Sequence, residues 1–115
     1  MARFLLYSIL MVRYGITRIR LNAEGTYIEA VEYRVIIHGR HVRWQVGPAI
    51  QIARLGMVDI VRTPGNRVVT LPRDANGNYD SGGPVFIEVG PDGIEYLESV
   101  ADGIERNNLR ALPPF

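Results

Sequence analysis

Along residues 16–21 the side-chain character changes at almost every step. Thr17, Ile19 and Leu21 fall on one face of an extended chain, and Ile16, Arg18 and Arg20 on the other. Strand side chains alternate between faces, so this period of two predicts a strand. Residues 26–37 give the clearest strand of the chain. Tyr27, Val31, Tyr33, Val35 and Ile37 share a face, with Glu32 and Arg34 opposed, and Glu29 interrupts the apolar row at an exposed end. Asn22-Ala23-Glu24-Gly25 predicts a turn between the two strands, and His38-Gly39 a tight hairpin turn from which Val42, Trp44 and Val46 return.

Gly47-Pro48 predicts a helix start, since proline is favoured in the first turn. Ala49, Ile52, Ala53 and Leu55 then supply a short apolar face up to Gly56, giving one helix over residues 48–55. Residues 57–62 and 67–71 read as strands around the Pro64-Gly65-Asn66 turn, and 72–84 as a long polar loop. Residues 85–89 and 94–100 read as a hairpin across Gly90-Pro91-Asp92-Gly93. The expected fold is a single α+β domain over residues 1–115, a mainly antiparallel β-sheet with one short helix packed on it. The core expected from these phases comprises Ile19, Val31, Tyr33, Val35, Trp44, Ile52, Val58 or Ile60, Phe86, Tyr96, Leu97 and Leu109.

Residues 1–12 do not alternate. Phe4–Val12 is apolar except for Ser8, too short to span a bilayer and followed by no small-residue cleavage site. Such an arm wants cover on both faces, which predicts a strand, inside its own sheet or exchanged in a twofold homodimer. Met11 is a second candidate start.

A chain of 115 residues can fold without staples, and the absence of cysteine removes disulfides and zinc–thiolate sites, which suits a cytoplasmic protein. The net charge of +1 conceals an asymmetry. Residues 1–67 carry ten Arg against four acids, a net +6, and residues 68–115 carry three Arg against eight acids, a net −5. Two oppositely charged parts can simply face each other; the sharper reading is a basic face for an acidic partner. All 13 basic residues are Arg, a bias that a GC-rich genome also produces. Arg18, Arg20, Arg34 and Arg43, with Trp44, Tyr33 and Tyr27 nearby in the pattern, are the candidate binding residues, and a nucleic acid stacked on those aromatics is the alternative to a protein partner.

Asp80-Ser81-Gly82-Gly83-Pro84 resembles the nucleophile loop of chymotrypsin-like serine proteases. His38 or His41, Asp59 or Asp74, and Ser81 run in that family's order. Tyr79 stands where that loop wants the oxyanion-hole glycine, and the chain could supply only one of the two barrels. The preferred reading is therefore a loop leading into the strand at Val85, with serine hydrolysis through Ser81 the remote alternative. Asp74-Ala75-Asn76-Gly77-Asn78-Tyr79-Asp80 has oxygen ligands at alternate positions, but Tyr79 replaces the required glycine of a calcium loop, and a solvated turn is preferred. His38 and His41 flank the expected turn; alternation would place them on opposite faces, and no carboxylate or third His is near in sequence, so no metal site is expected.

Tyr96-Leu97, Ala101-Asp102-Gly103, Asn107-Asn108-Leu109 and Leu112-Pro113, with Trp44 and a short helix ending at Gly56, resemble the bacterial and phage domain-of-unknown-function family 3892. The resemblance spans most of residues 14–115 and implies no activity. Physically its ending reads as structural: Asp-Gly turns the chain, Asn108 bonds local backbone, and Leu109 and Leu112 pin the tail to the sheet. Occurrence of the family in phages implies a small protein that binds and blocks a host factor. No nucleophile, base and oxyanion donor assemble, so the expectation is a non-enzymatic binding module with no catalytic residue, no metal, no cofactor and no membrane.

Overall fold

A computed structural model of the chain describes residues 12–38, 45–80, 82–100 and 108–115, the side chain of residue 38 excepted. Residues 1–11 of the apolar arm, Arg43, Trp44, His41, Ser81 and the Asp102-Gly103 turn lie outside the described residues. The elements run β1 (Val12–Leu21), β2 (Ile28–His38), β3 (Gln45–Val46), β4 (Ile50–Ala53), α1 (Arg54–Arg62), β5 (Asn66–Thr70), β6 (Val85–Val89), β7 (Glu95–Ser99) and a 3-10 turn at Leu109–Ala111. They form a five-stranded sheet ordered β3-β2-β1-β5, with β4 also on β2, and a separate β6–β7 hairpin. The fold is α+β and mainly antiparallel, as the sequence predicts.

β1 and β2 pair antiparallel around the Asn22–Gly25 turn, where Asn22 Oδ1 accepts the amides of Thr26 and Tyr27 and Gly25 takes a φ of 69°. The strict alternation expected of β1 fails at one point. A bulge between Ile16 and Arg18 inserts an extra residue, so Ile16 and Ile19, three apart, both turn into the core at 0% and 3% exposure. β2 also departs from its expected phase at its far end. Ile36 is buried at 7%, whereas Ile37 stands 67% exposed, because Ile36 meets Val69 and Leu71 in a second small cluster on the opposite face.

The helix is displaced. Gly47-Pro48 does not start it. Gly47 donates to Val35 O at 2.8 Å, and residues 47–49 only interrupt the sheet-edge chain between β3 and β4, both of which pair with β2. The helix occupies Arg54–Arg62, where a strand was expected, and Gly56 is inside it rather than after it. A Cβ on Gly56 would come within 2.4 Å of the Ile52 side chain, so the glycine leaves the room that this Ile52 rotamer occupies. Met57 and Val58 are buried, with Ile60 and Val61 packed beside them, an i, i+1, i+3, i+4 face that lies on the sheet and outweighs the weak helix propensity of β-branched residues.

β5 pairs with β1 in parallel. Since β4 is antiparallel to β2, and β2 to β1, the unit β4–α1–β5 is a crossover spanning β2 and β1, a split β-α-β. The main core is the face it covers: Ile16, Ile19, Ile28, Val31 and Tyr33 from β1 and β2 pack against Met57 and Val58, Val85 and Leu97 of the hairpin, and Leu109 and Leu112 of the tail. Of the expected core, Val35 and Tyr96 are only half-buried and Phe86 is 41% exposed on the outer side of the hairpin.

Candidate functional site

The other face of the same sheet carries the arginines. Tyr14, Ile16 and Val68 belong to the core, so Arg13 on β1 and the register-paired Arg67 on β5 project away from it. Ile19 is buried, so Arg18 and Arg20 on either side also face outward. Arg34 of β2 stands opposite Gly15, on that same face. A Cβ at Gly15 would lie 2.8 Å from Leu71, so the glycine lets the chain leaving β5 cross closely over β1.

That crossing creates a cavity. After Thr70 the chain departs from β1 and enters a loop held by an Arg73–Tyr79 bridge. Farther along, the C-terminal tail takes over the β1 edge: Ile19 N donates to Pro113 O at 3.0 Å and Phe115 N to Ile19 O at 3.1 Å. Between these two chain segments lies a cavity of about 530 Å³. Its floor is Thr17, Arg18, Glu32 and Arg34; one wall is Leu71, Pro72, Arg73 and Tyr79, and the other Ala111, Leu112 and Pro113.

The bulge shapes the floor. By placing two β1 residues opposite Glu32 it brings both Thr17 and Arg18 onto one carboxylate. Thr17 Oγ1 donates to Glu32 Oε2 at 2.9 Å, and Arg18 Nη1 to Oε1 at 3.4 Å. Glu32 is buried, and each of its two carboxylate oxygens accepts one of these donors. Arg18 also donates from Nε and Nη2 to Pro114 O, fastening the tail.

Arg34 and Arg73 converge on Tyr79, their guanidinium carbons 5.8 and 4.1 Å from its ring centre. Arg34 Nη1 donates to Gly47 O at 3.0 Å, while its Nε is buried without a hydrogen-bond partner. Arg73 donates to Gly77 O and Tyr79 Oη. Arg20 lies 4.6 Å from the Phe115 ring, next to the cavity but not in its lining. Of the candidate residues read from sequence, Arg18 and Arg34 are thus brought together; Arg20 borders them, and Arg43 lies outside the described residues. Arg73, Tyr79 and Glu32 were not singled out. The two-residue spacing of Arg18 and Arg20 was visible, but the return of the 73–79 loop over the sheet was not.

The aromatic platform expected for stacked bases does not form from Tyr27 and Tyr33. Tyr33 is buried edge-on against Tyr14, and Tyr27 packs with Tyr96 beneath Arg54. The Gly82-Gly83 pair has a structural explanation. Gly82 N donates to Thr70 O and Gly83 N to Thr70 Oγ1, and a Cβ at Gly82 would collide with that hydroxyl at 1.9 Å. Asp74 uses Oδ1 to accept the amides of Asn76 and Asn78, organising its own turn, while Asp59 is exposed on α1. Among the described residues no three His, Cys, Asp or Glu side chains gather as a metal site, and no helix is long and apolar enough to cross a membrane. Leu109 and Leu112 pin the tail as expected, but Asn108 contributes its backbone carbonyl, to Ala111 N, rather than its side chain, whose Oδ1 is buried without a partner among the described residues.

Residues 15–113 match the family described as Protein of unknown function (DUF3892), and the chain belongs to that family. No curated protein and no solved structure matches it.

Proposed function

We propose that this member of the family is a non-enzymatic binding module that engages an acidic protein surface, in a phage setting a host factor that it blocks, through the arginine face of its main sheet. The observation that supports the reading is the placement of Arg13, Arg18, Arg20, Arg34 and Arg67 on the sheet face opposite the core. The β6–β7 hairpin, whose residues 85–99 hold four acids and no Arg, packs on the core side. The charge asymmetry of the sequence thereby becomes a spatial one, which steers an acidic partner to one side of the domain. Affinity capture from host lysate, repeated with an Arg13→Ala/Arg67→Ala variant, tests it. A partner that the wild-type chain captures and the variant loses is expected; a partner held equally by both removes the arginine face from the interaction.

The same face supports a second reading, direct nucleic-acid binding, without base stacking on Tyr27 and Tyr33. Anisotropy of a labelled oligonucleotide between about 50 and 200 mM salt separates the two, since each phosphate contact steepens the salt dependence by nearly one unit of slope. The homodimer expected from the apolar arm is a proposal of its own. Light scattering on the full chain and on a chain beginning at Met11 tests it, and a monomeric full chain rejects it.

A further inference from the structure

We infer that the cavity between the β5 exit and the C-terminal tail binds an organic carboxylate, its oxyanion held by Arg34 and Arg73 and its apolar body set against Leu71, Leu112 and Pro113. This rests on the same arginine face as the macromolecular reading but concerns a separate set of contacts.

The volume, about 530 Å³, is that of a small-molecule pocket rather than a packing defect. Its charge is unbalanced. Among the described residues three guanidinium groups line it against one carboxylate, and Glu32 is already engaged by Thr17 and Arg18. Neither Arg34 nor Arg73 has a carboxylate partner among the described residues. Both donate to backbone carbonyls and rest on Tyr79, which fixes their planes while leaving N–H groups uncommitted, and the buried Nε of Arg34 is one of these. The guanidinium fork of such a side chain matches a planar carboxylate.

The lining also selects the rest of the ligand. Leu71, Pro72, Ala111, Leu112 and Pro113 offer an apolar wall that an inorganic oxyanion would leave unused. Glu32 at the floor repels a dianion such as phosphate more than a monoanion and gives a carboxylate the advantage. The ligand can be a free molecule or an acidic side chain of a partner segment; the chemistry at the arginines is the same.

Two-dimensional amide NMR of the full chain with benzoate, benzylamine, inorganic phosphate and the blocked peptide acetyl-Ala-Ala-Glu-Ala-Ala-amide decides it. Benzoate is expected to shift the amides of Arg73, Tyr79 and Leu112 with a Kd on the order of 1 mM, a reasonable affinity for so small a probe. Arg73→Ala should weaken this about tenfold, while Asp59→Asn, exposed on the helix at the other side of the sheet, stays within about twofold. Tighter binding of benzoate than of the peptide assigns a free ligand; the reverse assigns a partner's side chain. No shift at about 10 mM of either carboxylate, equal binding of the cationic benzylamine, stronger binding of phosphate, or indifference to Arg73→Ala would each overturn the proposal. If lysate capture shows no dependence on Arg13 and Arg67 while benzoate binds, the macromolecular reading fails and the cavity stands; the opposite pattern separates them the other way.

Discussion

On one face of the main sheet, Ile16, Ile19, Val31 and Tyr33 lie beneath the helix, the hairpin and the tail. On the other, the same two strands present Arg13, Arg18, Arg20 and Arg34 beside a small apolar cluster of Ile36, Val69 and Leu71. The first face follows the usual economy of a half-buried antiparallel sheet. The second does not leave its polar side chains in bulk water. It buries Glu32, lays two arginines on Tyr79 and lets the tail and the 71–80 chain wall off a cavity. The first face holds most of the buried apolar core, the second holds the arginines on which the proposed recognition rests, and substitutions should separate the two.

The largest effect belongs to the core face. Met57→Ala, at a fully buried position under the sheet, should lower the unfolding free energy by about 2–5 kcal/mol in urea titration while leaving benzoate affinity of the folded fraction unchanged. A loss below about 1 kcal/mol would mean that the helix is not what holds this face together. Glu32→Ala, on the other face, should cost about 1–3 kcal/mol, because Thr17 keeps only its longer contact to the residue-32 carbonyl and the half-exposed Arg18 loses its ion pair to a buried carboxylate. An unchanged urea midpoint would show the two faces to be less alike in packing than the Glu32 contacts indicate. Arg67→Ala should stay within about 0.5 kcal/mol of wild type and act only on acidic-partner binding and its salt dependence.

The smallest effect lies on the hairpin, away from both faces. The Tyr96 hydroxyl donates to Asp92 at 2.7 Å and the Ile94 amide to its other oxygen, which holds the Asp92 carboxyl below the ordinary aspartate range. A depressed folded pKa stabilises the fold fully above the unfolded value and is lost as pH falls through the folded one. Stability measured from pH 7 down to about 5 should therefore be the same for wild type and Asp92→Asn apart from a constant offset, and only the acid limb below that should be shallower in the variant.

Much of the fold was legible because local chemistry and tertiary packing agree. The Asn22–Gly25 turn, the β6–β7 hairpin and the anchoring of Leu109 and Leu112 depend on residues whose role is decided within a few positions. The helix was not legible, because Gly56, Val58, Ile60 and Val61 have poor intrinsic helix preference and become helical only by packing on the sheet. The site was half legible. Arg18 and Arg34 stand out on any alternating pattern, but the bulge that turns Thr17 toward Glu32 has no sequence signature here, and the loop that delivers Arg73 and Tyr79 reads only as polar and turn-rich.

The tail that closes the cavity joins the β1 edge across most of the chain, with the Ile19 and Pro114 pairing some 95 positions apart in sequence, whereas β1 and β2 pair across a short turn. Long-range closures form late because the entropy of the intervening chain must be overcome first. The cavity is therefore a feature of the finished molecule alone. A nascent or C-terminally clipped chain can present the arginine strands, but it has neither the second cavity wall nor the anchor that Arg18 finds at Pro114. Pulsed hydrogen exchange during refolding should show the amide of Phe115 gaining protection after that of Val31; simultaneous protection would mean that the tail closes with the hairpin rather than after it.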